Sequence, residues 1–370
     1  MIILDIVFYA FIVIVCIQVV YYTIFLIQFK ESKTLNSLAE SPAVSVIVCA
    51  KNEAENLKAF LPSLINQDYS KFQIVLINDA SYDDTLVVME SFAEKHKNIK
   101  IVDVKNNEAF WANKKYALTL GIKAAKYEHL LFTDADCKPV SKFWIQEMSS
   151  CFSAQKKIIL GYGGYVKMKN SLLNKLIRFE TVLTAMQYVS YANLGIPYMG
   201  VGRNLAYTKN AFFEANGFMS HMHIRSGDDD LFVNQIGDKN NTAICLSPYS
   251  FTESVPKKTL GAWLRQKKRH ITTAGHYKLK HKILLSLFFS SQFLFYALSI
   301  LLLLFQVHWQ IVISLIILRL LIQIITYTQV TKKLNERDTV PFIPFLDIFI
   351  IAIQLSIFIS NLISKPKHWK

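Results

Sequence analysis

His129-Leu130-Leu131-Phe132-Thr133-Asp134-Ala135-Asp136 reads as a short apolar strand running straight into two carboxylates one residue apart. Such a pair suits a hard divalent cation, which takes oxygen ligands. Short motifs recur by chance, and two isolated aspartates equally describe a solvated loop. The strand before them favours the ligand reading, because ligands of parallel sheets bind beyond the carboxyl ends of the strands.

Upstream, the same pattern repeats. Val44 to Cys49 is a β-branched run that suits a buried strand. Lys51-Asn52-Glu53 follows, and Asn52 is placed to cap a helix carrying Leu57, Phe60, Leu61, Leu64 and Ile65 at helical spacing. Ile74 to Ile77 is a second strand ending in Asn78-Asp79, with a helix opening near Asp83-Asp84-Thr85. Ile99 to Val104 is a third strand, and Leu118 to Ala125 lies in a helix before the strand at His129. Alternating strands and helices with short joints predict an α/β fold, with a Rossmann-like, mainly parallel sheet covered on both faces. No GxGxxG or GxxxxGK[ST] is present, so neither a dinucleotide fingerprint nor a P-loop is expected.

Downstream lie two further polar clusters. Ser226-Gly227-Asp228-Asp229-Asp230-Leu231 crowds three carboxylates, which repel unless a cation or partner is near. One of them can serve as a general base, and the cluster also suits a helix N-terminus. Gln266-Lys267-Lys268-Arg269-His270 is strongly basic. Its lysines read as an anchor to anionic headgroups, with Trp263, Gln266 and Arg269 as the functional candidates. Gly161, Gly163 and Gly164 mark close backbone approach in a strand rather than a phosphate loop.

The 370 residues are 52% hydrophobic, with a mean hydropathy of +0.27, which is too apolar for an ordinary soluble enzyme. Ile6 to Phe29 carries no charge and exceeds the length needed to cross a bilayer. Its large residues and lack of a basic start argue against a cleaved signal peptide. Ile283 to Phe305 is a second uncharged run; Ile311 to Val330 is interrupted by Arg319, and Phe342 to Ile363 by Asp347. Pro341, Pro344 and Asp347 suggest a short hairpin or interfacial segment in that last run. Arg319 calls for a structural partner such as Asp347. Trp144, Trp309 and Trp369 read as packing or interface residues.

The net charge of +14 gathers beside these runs: Lys257 to Lys282 holds nine Lys/Arg and no carboxylate. Lys30, Lys33, Lys332, Lys333 and Arg337 fit the same side, whereas Lys365, Lys367 and Lys370 do not if the last run crosses. The positive-inside rule therefore places the central domain in the cytoplasm. No nucleic-acid module is present, and none is expected as a partner. The five cysteines form no CxxC pair, consistent with a reducing compartment. The expected organisation is an anchor over 1–29, a catalytic domain over 30–282 and a membrane region of two to three helices over 283–370.

At this point the chain resembles glycosyltransferase family 2, with the GT-A fold, in its membrane-integrated branch. The matching pieces are Ala50-Lys51-Asn52-Glu53, Ile77-Asn78-Asp79-Ala80-Ser81 with Asp83-Asp84-Thr85, and Asn113-Lys114-Lys115-Tyr116-Ala117-Leu118. Thr133-Asp134-Ala135-Asp136, Gly200-Val201-Gly202-Arg203-Asn204-Leu205-Ala206, Asp228-Asp229-Asp230-Leu231 and Gln266-Lys267-Lys268-Arg269-His270 follow in the family's order.

The resemblance implies that Ala50, Glu53 and Asp79 hold the base and ribose of a nucleotide-sugar. It implies that Lys114 approaches the ribose or diphosphate, that Asp134 contacts the donor and that Asp136 binds a divalent metal, Mg2+ or Mn2+. Asp228 would be the catalytic base, Asp230 would shape the acceptor site, and Gln266 and Arg269 would hold the diphosphate. A UDP-sugar donor, inversion at the anomeric carbon, and a lipid or glycan acceptor are what the family implies, in an integral protein of a bacterial inner membrane. Two departures stand out. His270 replaces the tryptophan that lines the acceptor site of polymer-making members, and Gly227 replaces the usual glutamate before the base. A single-transfer enzyme making a glycolipid or lipid-linked sugar is thus the leading expectation. A processive polysaccharide synthase is the alternative, ahead of an inactive membrane scaffold or a transporter.

Overall fold

The computed structural model describes residues 2–31, 42–105, 114–224 and 226–363. Asn113, Lys33, Trp369 and the lysines of the C-terminal tail lie outside them. The strands are β1 (Val44–Ala50), β2 (Phe72–Asp79), β3 (Ile99–Val104), β4 (His129–Asp134), β5 (Cys137–Pro139), β6 (Ile158–Leu160), β7 (Gly163–Tyr165), β8 (Leu205–Thr208), β9 (Thr242–Ile244) and β10 (Thr252–Ser254). The helices are α1 (Ile2–Glu31), α2 (Ala54–Ile65), α3 (Thr85–Ala93), α4 (Lys114–Ala124), α5 (Trp144–Ser149) and α6 (Leu172–Asn193). They continue with α7 (Lys209–Glu214), α8 (Asp230–Ile236), α9 (Leu260–Ala274), α10 (Leu279–Leu304), α11 (Trp309–Lys333) and α12 (Ile343–Ile363).

The described residues form two compact units, one of 42–177 with 191–276, the other of 2–31, 178–190 and 277–363. In the first, a seven-stranded sheet has the order β3-β2-β1-β4-β8-β6-β9. β1 pairs in parallel with both β2 and β4, and β2 with β3. Strands flanked on both sides must be apolar on both faces. Val44, Val46, Ile74, Val75, Leu76 and Ile77 are accordingly fully buried. Register does the positioning: Ala50 pairs with Asn78, and Cys49 with both Ile77 and Asp134. The polar ends of three strands are therefore side by side. Beyond β4 the sheet departs from all-parallel, since β8 runs antiparallel to β4 and to β6. A three-stranded sheet, β5-β10-β7, continues directly from the Asp134-Ala135-Asp136 turn.

One local expectation of the catalytic unit is corrected. Asn52 does not cap α2; the cap position is Glu53, with no side-chain hydrogen bond. Asn52 sits at φ 56°, a left-handed conformation that asparagine tolerates. Its Oδ1 instead accepts a hydrogen bond from Tyr82 N at 3.0 Å. The glycines behave as expected: a Cβ on Gly161 would come within 2.5 Å of the Asn204 side chain.

In the second unit, α1, α10, α11 and a segment over Arg337–Ser360 are long and apolar enough to cross a membrane. The last apolar run is one helix, α12, rather than a hairpin. Pro344 falls in its first turn, where a missing N–H leaves no bond unmade. Asp347 is buried because it is fully partnered. It accepts hydrogen bonds from Gln292 Nε2 at 2.6 Å and Tyr296 OH at 2.7 Å, and Arg319 Nη2 lies 3.2 Å away. Arg319 also donates to Gln323 Oε1 at 2.6 Å and Gln18 Oε1 at 3.1 Å, and its guanidinium faces Phe295 at 4.5 Å. Trp309 is half exposed, whereas Trp144 in the first unit is fully buried.

Removing one member of a buried pair strands the other charge, at a cost of about 3–5 kcal/mol. Arg319→Leu should lower the thermal midpoint of the detergent-solubilised protein sharply. Arg319→Leu combined with Asp347→Leu should recover part of the loss, as a double-mutant comparison of melting curves would show.

Candidate active site

The site begins where β1 and β2 end. Asp83 organises the turn before α3, with Oδ1 accepting from Thr85 N at 3.0 Å and Oδ2 from Ala54 N at 3.4 Å. Thr85 Oγ1 accepts from Glu53 N at 2.8 Å, and Ser81 Oγ accepts from Asn52 N at 3.0 Å. The two turns are therefore laced together and hold Glu53 beside the tip of β2. Ala50 is buried at the tip of β1. Asp79 lies 3.9 Å from Lys51 Nζ. Burial raises its carboxyl above the usual range, against the pull of Lys51 and Lys114.

Lys114 opens α4, which lies close on the sheet because residue 121 is glycine; a Cβ there would fall 2.1 Å from Ile77 Cδ1. The Lys114 ammonium sits 3.0 Å from Asp134 Oδ1 and 3.0 Å from Asp228 Oδ2. Burial acts against its charge, but the two carboxylates prevail and hold it protonated well above the usual lysine range. Lys115, next along, is also buried and donates to the carbonyls of His221 at 2.7 Å and Ile224 at 3.0 Å. It fastens the segment that leads to the three aspartates.

Those aspartates have different surroundings. Asp228 is opposed by burial, yet Lys114 holds its carboxyl below the usual range. Asp229 is the N-cap of α8 and accepts from Asp230 N at 2.7 Å and Gly202 N at 2.6 Å. Burial, with Asp228 and Asp230 beside it, pushes its carboxyl up to about 7. Asp230 is buried and receives a hydrogen bond from the Thr273 hydroxyl, which ties the start of α8 to the end of α9. Gly227 has φ +93°, and a Cβ there would meet Leu231 Cδ1 at 2.5 Å. A glutamate would be strained at this position, which accounts for its absence.

Asp136 is raised by burial and by Asp134 and Glu53, with Arg203 pulling the other way. Ligand atoms of Asp134, Asp136 and Cys137 all lie within 4.8 Å of one another. A crowded, partly desolvated negative cluster of this kind fits a divalent cation. A small cavity touches this cluster, with Lys114, Asp134, Asp228 and Asp229 on its polar wall and Phe132 and Tyr207 on its apolar one.

α9 carries the basic motif. Trp263 is fully buried, and Gln266 Oε1 is buried without a hydrogen-bond partner among the described residues. Arg269 is partly buried, which weakens its hold on its proton; Asp228, Asp134 and Asp229 supply the opposing field. The sequence motifs thus converge, with Lys114, Asp134 and Asp228 in direct contact and Asp136 on the same turn as Asp134. Gln266 and Arg269 lie on α9, which the Thr273–Asp230 tie joins to the start of α8, and the field of the aspartates reaches Arg269.

Four contributors escaped sequence reasoning. Lys115 was hidden beside Lys114, and Cys137 carried no pairing signal. Arg203 sits over the Tyr165 ring at 4.3 Å and donates to Gly164 O and Ser254 Oγ, each at 2.9 Å. Asn204 accepts from Trp144 Nε1 at 3.0 Å and donates to the carbonyls of Tyr162 and Ser250. An Arg-Asn pair following Gly202 in a matched motif was the available signal for the last two.

Residues 45–217 match the family described as Glycosyl transferase family 2, and residues 146–360 the one described as Glycosyl transferase family group 2. A cholesterol galactosyltransferase of Borreliella burgdorferi is 37% identical over 93 residues, which is 25% of this chain and 25% of that protein. A poly-beta-1,6-N-acetyl-D-glucosamine synthase of Staphylococcus epidermidis is 34% identical over 93 residues, 25% of this chain and 21% of that one. The matched segments thus span a quarter or less of these relatives. The mannosyltransferase PcManGT of Pyrobaculum calidifontis, solved with GDP-Man and Mn2+, superposes with a TM-score of 0.61 at 16% identity, covering 90% of this chain and 98% of that one. That likeness is one of fold, and its fold is the α/β arrangement found here. With the second family match covering more than half of its length, this chain belongs to glycosyltransferase family 2.

Proposed function

We propose that this protein transfers a sugar from a nucleotide-sugar to the hydroxyl of a lipid or lipid-linked acceptor, with inversion, using Asp228 as base. The observation that carries the reading is Lys114, whose ammonium joins the donor-side Asp134 to Asp228 at 3.0 Å each. The reacting centre of a single displacement lies between a donor diphosphate and a base, and these two carboxylates mark its two ends. A divalent cation held by Asp134 and Asp136 would neutralise charge on the departing nucleotide diphosphate.

The chain's own residues do the rest. Ala50, Glu53 and Asp79 line the place for the base and ribose. Lys114, Gln266 and Arg269 face the diphosphate, where fixed positive charge stabilises the leaving group. A carboxylate oxygen of Asp228 takes the acceptor's proton as its oxygen attacks the anomeric carbon from the opposite face. Bound to Lys114, Asp228 stays ionised but is a weak base. Drawing Lys114 toward the diphosphate strengthens it when the donor is in place. Asp230, tied to Thr273, shapes the acceptor side. The four apolar helices and the basic residues beside them support a bilayer protein with this unit on the cytoplasmic side. A lipid acceptor agrees with the galactosyltransferase relative. The polymer synthase relative supports the second reading, a processive synthase, against which His270 stands in place of tryptophan.

Membranes containing the protein, a lipid extract and a panel of UDP- and GDP-sugars should release nucleotide from one donor, and a chelator should stop that release. The product should carry one sugar; a ladder of lengths would favour the synthase. No release from any donor would count against the transferase reading.

Asp228→Asn should cut transfer by about 10²–10⁴-fold, the usual contribution of a general base. Nucleotide binding, read by calorimetry, should stay near that of the wild type; wild-type transfer would reject Asp228 as base.

The low carboxyl of Asp228 implies that activity is lost only as pH falls through that lowered value. Lys114→Met removes the cation that lowers it, so the acid limb of the kcat/KM profile should move to higher pH. An unmoved limb, whatever the residual rate, would show that Asp228 is not the group titrating.

A further inference from the structure

We propose that Cys137 is a third protein ligand of the divalent-cation site, making it a mixed carboxylate–thiolate site that prefers thiophilic cations to Mg2+. The inference rests on the proposed metal-assisted transfer for the presence of a cation, and adds a sulfur donor to it.

The geometry carries it. The Cys137 sulfur and the carboxylate oxygens of Asp134 and Asp136 lie within 4.8 Å of one another. Metal–oxygen and metal–sulfur bonds of about 2.0–2.3 Å bring donor atoms around one ion to a comparable spacing. Cys137 is 1% exposed, so its sulfur is withdrawn from solvent. Its backbone is fixed as well, since β5 pairs with β10 and places Cys137 opposite Ser254. The thiol points at the acids, with Sγ 3.4 Å from Asp136 Oδ1. The Ser254 hydroxyl borders the same sulfur. Two cations of the protein border the acids: Arg203, whose Nη1 is committed to Gly164 O and Ser254 Oγ, and Lys114, which lies 3.0 Å from Asp134 Oδ1.

An incoming cation would meet two carboxylates and a sulfur. The thiol proton leaves to solvent as the sulfur lone pair forms the metal bond, because a coordinating thiol is deprotonated. Hard Mg2+ gains little from sulfur, whereas Cd2+, Zn2+ and to a lesser degree Mn2+ gain more. The site should therefore discriminate among cations in a way that two carboxylates alone do not.

The test uses the full chain in detergent, titrated with Cd2+ and followed by the near-ultraviolet thiolate-to-cadmium absorption. The wild type and Cys49→Ser should develop the band at one equivalent. Cys137→Ser should lose it and bind Cd2+ at least tenfold more weakly, with Mg2+ affinity little changed; Asp136→Asn should lose it too. A band that persists in Cys137→Ser, or Cd2+ binding at Asp136 without any band, would overturn the proposal. Should Cys137→Ser fail to fold, the cadmium-113 resonance of the wild type decides, since a sulfur ligand shifts it away from the all-oxygen range. Sugar transfer is assayed separately with Mg2+ and with Mn2+: absent transfer with both, beside an intact band, would reject the transferase reading and leave the cysteine assignment standing.

Discussion

A half-buried ammonium between two carboxylates is the interaction on which the catalytic unit depends. Lys114 could not stay charged in its surroundings without Asp134 and Asp228, because an isolated buried charge is far costlier than a paired one. The need is mutual, since Asp228 is also held ionised by Lys114 against burial. Three pieces of chain distant in sequence must then meet: the start of α4, the end of β4 and the loop before α8. Each is delivered by ordinary packing. The register of β1 with β4 sets Asp134, Gly121 lets α4 lie close to β2, and Lys115 anchors the 221–224 segment by its carbonyls.

The helical unit solves the same problem for its own charges. Arg319 and Asp347 are both fully buried, and each is surrounded by amides and hydroxyls that share in its hydrogen bonding. Helices that are apolar on all sides have little to fix their rotation against one another. A polar cluster with one satisfied arrangement supplies that specificity.

Much of this was legible because periodicity and strand-end chemistry are local. β3 begins and ends where its β-branched run does, and the acids after β1, β2 and β4 meet because parallel pairing leaves them no alternative. The Arg319–Asp347 pair was readable because a charge in an apolar run needs a partner. What escaped depends on tertiary context. Asn52 has a capping side chain, but a left-handed backbone turns it toward Tyr82. The two prolines near Asp347 suggested a broken segment, yet one precedes α12 and the other falls in its tolerant first turn. Cys137 has no sequence pattern at all, and only the fold of the turn brings its sulfur to Asp136.

The triple aspartate shows how environment divides labour among like residues. Asp228 has a cation beside it and is held ionised. Asp229 lacks that contact, accepts from two backbone N–H groups and retains a proton up to about 7. Asp230 is spent on the tie to Thr273. Adjacent carboxylates whose titrations are pushed apart can take different roles in one site. Asp228 combines a charged state at neutral pH with contact to the lysine that also holds Asp134. Asp229 instead sets the loop: its two N–H bonds fix the turn from Gly227 into α8, and so fix where the Asp228 carboxylate points.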